Sequence, residues 1–168
     1  MNWKFWTWFI RQAAAKERRT FAGDGTWPFC VILDGDDAVL MPVRGRQMLA
    51  TWFGGDNDPD DSGETASGVR TRGNPSIMGC ALPMQISNGR QVSKCAGSPI
   101  VNIPWRTMVT VTAGGVTLKV PLIDVGPAKR TADSLDLTQA AFKKFAPLRQ
   151  GEFKVDSVRI HGGAKYFN

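Results

Sequence analysis

Two aspartates hold the positions in this chain that are best suited to acid–base chemistry. Asp124 ends an alternating run over residues 116–123 that is typical of a strand with one buried face, and Gly126-Pro127 then ends the strand. Asp136 comes twelve residues later, before a predicted helix from about Thr138 to Phe145. Rigid elements therefore hold both carboxyls, and two carboxyls near one another can serve as general acid and base.

A purely structural interpretation of the same residues stays open. Asp136 and Thr138 could cap the helix, and Asp124 could hold the Gly-Pro turn. If both carboxyls instead reach one groove, burial and like charge raise the pKa of one and leave the other ionised. We expect Asp136 to be the more desolvated of the two.

Composition favours one β-rich domain with a modest extension. The chain has 168 residues, 42% of them apolar, and its eighteen glycines and ten prolines indicate many turns. A net charge of +6 indicates an anionic partner such as an acidic cell-wall glycan. Nucleic acid is excluded as a partner, because the sequence contains no basic run with interleaved aromatics and no RNA-binding signature.

The sequence predicts no metal site and no cofactor. Cys30, Cys80 and Cys95 form no C-x-x-C pair, and His161 is the one histidine. Cys80 and Cys95 could form a disulfide, or all three cysteines could be small core residues. The acidic run over residues 56–61 lacks the glycine and the distal glutamate of an EF-hand, which favours a solvated surface loop.

The first 47 residues are predicted to be an extension of an N-terminal helix and a β-hairpin. The aromatic segment Trp3–Ile10 is interrupted by polar residues and too short to span a bilayer, and it is no clear cleavable signal peptide. We expect a helix over Trp3–Ala15 that docks on the domain, a protein partner or a second copy, without membrane contact. The hairpin is predicted around the turn at residues 34–37, and a second hairpin around Gly114-Gly115.

Five short motifs occur in an order that resembles a known family. They are Ala50-Thr-Trp-Phe-Gly54, Thr65-Ala-Ser-Gly68, Ile123-Asp-Val-Gly-Pro127, Leu135-Asp-Leu-Thr138 and a closing Gly-x-x-x-Val strand. Over about Leu49 to Ile160 the chain resembles the double-psi β-barrel domain of the rare lipoprotein A family. It is more distantly similar to the first domain of expansins and to the barrel of membrane-bound lytic transglycosylase A.

The resemblance implies a fold, a ligand and a location. The fold is an all-β, six-stranded double-psi barrel with one short internal helix, over residues 48–168. The ligand is peptidoglycan or a related polysaccharide, and the location is extracytoplasmic (periplasm, cell wall or secreted) or virion-associated. Asp124 matches the aspartate of the Asp-x-Gly-Pro motif, and Asp136 matches the acid of the enzymatic relatives.

The substrate-binding residues are expected to surround these acids. Trp52 and Trp105 are candidates for stacking on sugar rings, as is Phe53, although each could equally be a core residue. Thr65 and Ser67 could bind sugar hydroxyls or only form their turn. The last residue of this set is Gly126, the glycine of the Gly-Pro motif.

One departure from the family leaves two functions open. Rare-lipoprotein-A-type enzymes place a histidine before the first Leu-Pro, where this chain reads Ile77-Met-Gly-Cys-Ala-Leu-Pro83. The retained aspartates favour an enzyme, a lytic transglycosylase or a glycan hydrolase acting by aspartate acid–base catalysis. The missing histidine favours a non-catalytic, expansin-like glycan-binding module or a structural part of a larger assembly such as a phage tail.

Overall fold

The computed structural model describes residues 19–87, 94–128 and 133–167, and this part of the chain is all-β. Ten strands form one sheet, and the helical segments are few and short. The strands are β1 (Thr20–Phe21), β2 (Phe29–Asp34), β3 (Asp37–Pro42), β4 (Met48–Phe53), β5 (Cys80–Leu82), β6 (Met108–Ala113), β7 (Val116–Val125), β8 (Leu135–Thr138), β9 (Phe153–Val155) and β10 (Ser157–Ile160).

The order of strands in the sheet is β1-β2-β3-β10-β6-β7-β5-β8-β4-β9. Most pairs are antiparallel, but β4 pairs with β8 and β5 pairs with β7 in parallel. Asp156 alone separates β9 from β10, and its N–H donates to Thr112 O at 2.9 Å. The last stretch of chain therefore pairs with β4 through β9 and with β6 through β10.

Both predicted hairpins are present. The strands β2 and β3 pair from Phe29↔Pro42 to Asp34↔Asp37, which leaves a two-residue turn, and β3 continues the sheet by pairing with β10. The hairpin of β6 and β7 turns at Gly114 and Gly115, whose φ angles are 54° and 81°. Two successive residues with positive φ suit a tight turn that matches the twist of the strands.

The core consists of inward-facing strand residues and the short helix. Alternation along β6 buries Val109 and Val111, and alternation along β8 buries Leu135 and Leu137. All three cysteines are free thiols: Cys80 and Cys95 are buried and Cys30 is partly exposed. Burial raises the pKa of the Cys80 thiol far above its ordinary value, and that of Cys95 to about 11, so both behave as small apolar residues.

The segment around Asp136 differs from the prediction. Residues Leu135–Thr138 form strand β8 between β4 and β5, so Asp136 lies in the sheet and not in a loop. The helix α1 (Gln139–Phe142) is one turn long, and Thr138 precedes it without a side-chain capping bond. The Thr138 hydroxyl instead donates to Ile77 O at 2.7 Å and accepts from Gly79 N at 3.2 Å.

The predicted N-terminal helix over Trp3–Ala15 lies outside the described residues. Within the described ranges, no helix has the length and apolar character that crossing a membrane requires. Of the predicted extension, the structure describes residues 19–47, which contain β1 as well as the hairpin of β2 and β3.

Two variants on strand β7 test the described packing. Leu122 is fully buried, whereas Val116 on the same strand is 44% exposed. We expect Leu122→Ala to lower the free energy of unfolding by about 2–5 kcal/mol, because it leaves a cavity in the core. Val116→Ala is expected to change it by less than about 0.5 kcal/mol. Urea unfolding of both variants measures the difference, and equal effects would contradict the described burial of these two positions.

Candidate active site

Four side chains form a row across adjacent strands. Thr51 on β4 pairs with Asp136 on β8, which pairs with Ala81 on β5, which pairs with Asp124 on β7. Side chains in register on neighbouring strands lie on the same face. Strands are about 4.8 Å apart, so the two aspartates flank Ala81 with their Cα atoms roughly 10 Å apart. The methyl group of Ala81 leaves the space between the two carboxyls open.

An open cleft of about 390 Å³ is lined by three residues of this row, Ala81, Asp124 and Asp136. The cleft is strongly acidic, with six carboxyl groups and one ammonium group among its described lining residues. The lining residues are Phe53, Gly54, Asp58, Asp60, Asp61, Ser62, Glu64, Thr65, Ala66, Ala81, Lys94, Asp124, Val125 and Asp136.

The carboxyl group of Asp136 is deeply enclosed, although the residue as a whole is partly exposed. Burial raises its pKa to about 6 because the charged form loses its hydration. The Thr51 hydroxyl donates a hydrogen bond to Oδ1 and, with the positive charge of Lys94, acts in the opposite direction. The negative charges of Asp133 and Asp124 add to the increase.

Asp124 is held in a different environment. Its Oδ1 accepts the N–H groups of Ala66 at 3.0 Å and Val125 at 2.8 Å. Burial raises the pKa of Asp124 above its ordinary value, while these two backbone hydrogen bonds and the charge of Lys94 oppose the increase. Asp124 therefore connects the loop at Ala66 to strand β7 while it lines the cleft.

Desolvation, and not repulsion between the two acids, sets the proton affinity of Asp136. Among the contributions to its pKa, burial is the largest and the charge of Asp124 the smallest. The sequence-based expectation named burial and like charge as the two causes, and both raise the pKa of Asp136. The geometry separates one protonatable acid, Asp136, from one carboxyl held by backbone donors, Asp124.

Lys94 is the one cation among the described lining residues of the cleft. Its Nζ donates to Val125 O at 3.1 Å. A Cβ atom added to Gly126 would lie 3.6 Å from Lys94 Nζ and 3.1 Å from Asp136 Oδ2. Gly126 thus lies between the lysine and the acid, and a larger residue there would crowd the Asp136 carboxyl.

The acidic loop over residues 56–61 lies at the surface, with four of its six residues exposed, and its carboxylates also bind backbone N–H groups. Asp58 accepts the N–H groups of Gly54 and Asp60, and Asp56 accepts that of Gly73. Burial alone would raise the pKa of Asp61, but hydrogen bonds from Gly63 N, Thr71 Oγ1 and Gly55 N lower it. The loop's carboxylates organise the backbone at one side of the cleft. Among the described residues no group of three or more His, Cys, Asp or Glu could hold a metal ion.

Thr65 and Ser67 form a turn beside the cleft. The Thr65 hydroxyl accepts Val69 N at 3.0 Å and lies 3.1 Å from Ser67 Oγ, and Thr65 is 6% exposed. Thr65 lines the cleft, whereas Ser67 does not. Their hydroxyls thus complete the turn, and a contact with substrate remains a prediction.

The two predicted tryptophans do not line the cleft. Thr51 faces Asp136, and because side chains alternate along a strand, Trp52 faces the other side of β4. Trp52 Nε1 donates to Leu148 O at 3.1 Å, and both Trp52 and Trp105 pack against the core as partly buried residues. The prediction that either tryptophan borders the acids is therefore wrong. Phe53 is the aromatic residue that lines the cleft.

The family histidine has no replacement in the described site. A Cβ atom at Gly79 would lie 2.4 Å from Ile123 Cδ1, so this position cannot carry a side chain without rearrangement, and Cys80 is buried. His161 is elsewhere: its Nε2 lies 2.7 Å from Thr110 Oγ1 and its Nδ1 lies 3.6 Å from Asp37 Oδ2.

Sequence reasoning did not identify Thr51, Ala81 and Lys94 as parts of the site. Thr51 and Ala81 lie within stretches quoted for the family resemblance, so register within those stretches was the missed signal. Lys94 follows a polar stretch with no pattern that singles it out.

Comparisons with known proteins identify no family. No protein-family model matches the chain, and no curated protein matches it. Among solved structures, the chain is similar to a Streptomyces papain inhibitor with a TM-score of 0.44 and 23% sequence identity. The similarity covers 72% of this chain and 99% of the inhibitor and is too distant to support an argument.

The raised pKa of Asp136 predicts how stability depends on pH. Its folded-state pKa of about 6 lies above the unfolded value of about 3.9, so the folded chain retains a proton that the unfolded chain has lost in between. The stability associated with this group is complete below about pH 4 and decreases as the pH rises through about 6. We therefore expect Asp136→Asn to be more stable than the wild type at neutral pH by up to about 3 kcal/mol.

Chemical unfolding of both proteins from about pH 4 to about pH 8 measures this difference. The prediction requires that the two stability curves separate as the pH rises. Parallel curves over the whole range would show that the carboxyl is not protonated preferentially in the folded state.

Proposed function

We propose that this chain is a double-psi β-barrel domain that cleaves a cell-wall glycan, with Asp136 as general acid and base. The observation that carries the proposal is the enclosed Asp136 carboxyl, with a pKa of about 6, in the lining of an open cleft. General acids work best when their pKa lies near the working pH. A carboxyl of this kind is most useful for donating a proton to a poor leaving group such as a glycosidic oxygen.

The strand pairing supports a closed six-stranded barrel. Successive pairs connect β4, β8, β5, β7, β6 and β10, and β9, which continues into β10 across Asp156, pairs back to β4. These pairs define a ring of six strands when β9 and β10 are counted as one. The two parallel pairs, β4–β8 and β5–β7, belong to this ring.

In the first step, Asp136 protonates the glycosidic oxygen as the bond to the sugar's anomeric carbon breaks. Positive charge develops on that sugar, and the acidic cleft stabilises it. Asp124 contributes to this negative potential as a carboxylate that two backbone N–H groups stabilise.

In the second step, the Asp136 carboxylate takes a proton from a hydroxyl group of the same sugar. That oxygen attacks the anomeric carbon and closes an anhydro ring, so no water is consumed. One carboxyl is sufficient because it donates and then recovers one proton. Asp124 contributes less than burial to the raised pKa of Asp136, in keeping with a mechanism in which one acid moves the proton.

Peptidoglycan is the substrate that the sequence resemblance favours. The overall charge of +6 suits an anionic wall, although the cleft itself is acidic. The positive charge therefore lies mostly outside the cleft, where it would attract the wall while the cleft binds the glycan strand. The protein would then act outside the cytoplasm or as part of a virion.

A non-catalytic glycan-binding role is the second candidate. The observation that favours it is the close packing at Gly79, where a side chain such as the histidine of the enzymatic relatives would require Ile123 to move. In that case the barrel would bind the wall, or join a larger assembly, without cutting the glycan. Incubating the protein with purified peptidoglycan distinguishes the two, because only the enzyme releases muropeptides with an anhydro end.

The first variant that tests the enzymatic proposal is Asp136→Asn. It removes the transferable proton and changes the side-chain volume little. We expect cleavage to fall by about a hundred- to ten-thousand-fold while sedimentation with the wall stays nearly unchanged. Asp156→Asn is the matched control, since Asp156 is exposed, lies between β9 and β10 and does not line the cleft. Full activity in Asp136→Asn would refute the assignment.

Thr51 provides a test of how the acid is positioned. Thr51→Val removes the hydroxyl that donates to Asp136, and loss of this hydrogen bond destabilises the carboxylate and raises the pKa of Asp136 further. We expect the alkaline limb of the profile of kcat/KM against pH to move to higher pH, with a lower rate. Thr51→Ser keeps the donor and should restore the wild-type profile. An unchanged profile in Thr51→Val would show that the hydrogen bond does not control the acid.

A further inference from the structure

A second, smaller hollow lies beside the cleft and has no role in the proposed reaction. It holds about 70 Å³ and shares Phe53 and Gly54 with the cleft. Its described lining residues are Phe53, Gly54, Gly55, Asp56, Asn57, Thr71, Gly73, Asn74, Pro75, Ile77, Thr138 and Gln139.

The strand register fixes the distance from the hollow to the acid. Phe53 and Thr138 pair two residues further along β4 and β8 than the pair of Thr51 and Asp136. A step of two residues along a strand covers about 6.6 Å and leads to a side chain on the same face. The hollow therefore lies about one sugar ring away from the acid, along the edge of the cleft.

The size of the hollow excludes a whole sugar ring. A cavity needs about 10–15 Å³ by this measure for each atom of the size of a water molecule. A volume of about 70 Å³ thus accommodates roughly five non-hydrogen atoms. A short substituent of a sugar fits, and the ring itself would stay in the cleft.

The hollow is close to neutral, whereas the cleft is acidic. Asp56 is its one ionisable lining residue, and the Oδ1 of Asp56 accepts the N–H of Gly73 at 3.0 Å. The adjoining cleft carries six carboxyl groups. A neutral substituent is therefore favoured here, because nothing in the described lining would pair with an anionic one.

Among its polar groups, the side-chain amides of Gln139 and Asn74 supply an acceptor and a donor beside an apolar wall. Gln139 Nε2 donates to Gly54 O at 2.6 Å, and among the described residues Gln139 Oε1 accepts no hydrogen bond. Asn74 Oδ1 lies 3.4 Å from Ser76 Oγ, and Asn74 Nδ2 has no acceptor within the described part of the chain. The apolar wall consists of Phe53, Pro75 and Ile77.

The geometry points to a subsite for the acetamido group of an N-acetylated sugar. The amide N–H of that group would donate to Gln139 Oε1, its carbonyl would accept from Asn74 Nδ2, and its methyl group would contact the apolar wall. This inference depends on the proposed glycan-binding function and adds to it the class of sugar that the cleft selects.

Binding of two matched oligosaccharides tests the subsite. Calorimetry would compare a chitin-type oligomer with a cellulose-type oligomer of equal length, because these differ only in an acetamido group or a hydroxyl group on each ring. The Asp136→Asn protein prevents turnover during the titration. We expect the chitin-type oligomer to bind at least about tenfold more tightly, because one net hydrogen bond changes the dissociation constant by about that factor.

Asn74→Asp in the same background keeps the Oδ1 atom and the volume but removes the Nδ2 donor. The preference should fall by about fivefold or more, whereas Gln47→Glu, an equal charge change at an exposed position outside the hollow, should leave it unchanged. NMR of isotope-labelled protein gives a second measurement, in which the chitin-type oligomer alone shifts the side-chain amide signals of Gln139.

The outcomes separate this inference from the proposed function. Equal binding of both oligomers would overturn the acetamido subsite and leave glycan binding intact. No binding of either would overturn the proposed function and the subsite with it. A preference that survives Asn74→Asp, with no change in the Gln139 signals, would place acetamido recognition elsewhere and overturn the subsite.

Discussion

The candidate site depends on the enclosure of one carboxyl group in a β-sheet. Asp136 lies on a strand between two others, so its neighbours in register, Thr51 and Ala81, are set by backbone pairing and not by a flexible loop. Placement of this kind is precise because strand spacing and pleat are fixed by hydrogen bonds. The desolvation that raises the pKa of Asp136 is therefore a consequence of the fold itself.

The surrounding loops keep this buried acid accessible. The acidic loop uses Asp58 and Asp61 to organise its own backbone, which keeps one wall of the cleft in place. Lys94 also lines the cleft, and the absence of a side chain at Gly126 leaves space beside the Asp136 carboxyl. Burial of a carboxyl without a full ion pair costs stability, and such costs are typical of functional sites.

The sequence predicted the all-β class, both described hairpins and the approach of the two aspartates. Those features depend on local patterns: alternation, turn glycines and a Gly-Pro stop. The segment at Leu135–Thr138 was misjudged because a four-residue strand that ends in Thr138, with Gln139 and an alanine pair directly after it, has the same local signal as a capped helix. The pairing of this segment with β4 and β5 makes it a strand.

Of the residues that form the candidate site, the sequence predicted the two aspartates but not their neighbours. The alternation of side chains along a strand places Trp52 and Thr51 on opposite faces. Which of them faces Asp136 depends on the strand register, and a single sequence does not provide the register. The position of Lys94 depends on a long-range contact with Val125 and could not have been predicted from neighbouring residues.

The most direct test of the central claim is the pKa of Asp136 itself. Carbon NMR can follow the aspartate carboxyl signals through a pH titration, and the signal missing from Asp136→Asn identifies the residue. The account predicts a midpoint at about pH 6, produced mainly by burial. A midpoint near or below about 4, as for an ordinary aspartate, would contradict it, because such a group would hold no proton to donate near neutral pH.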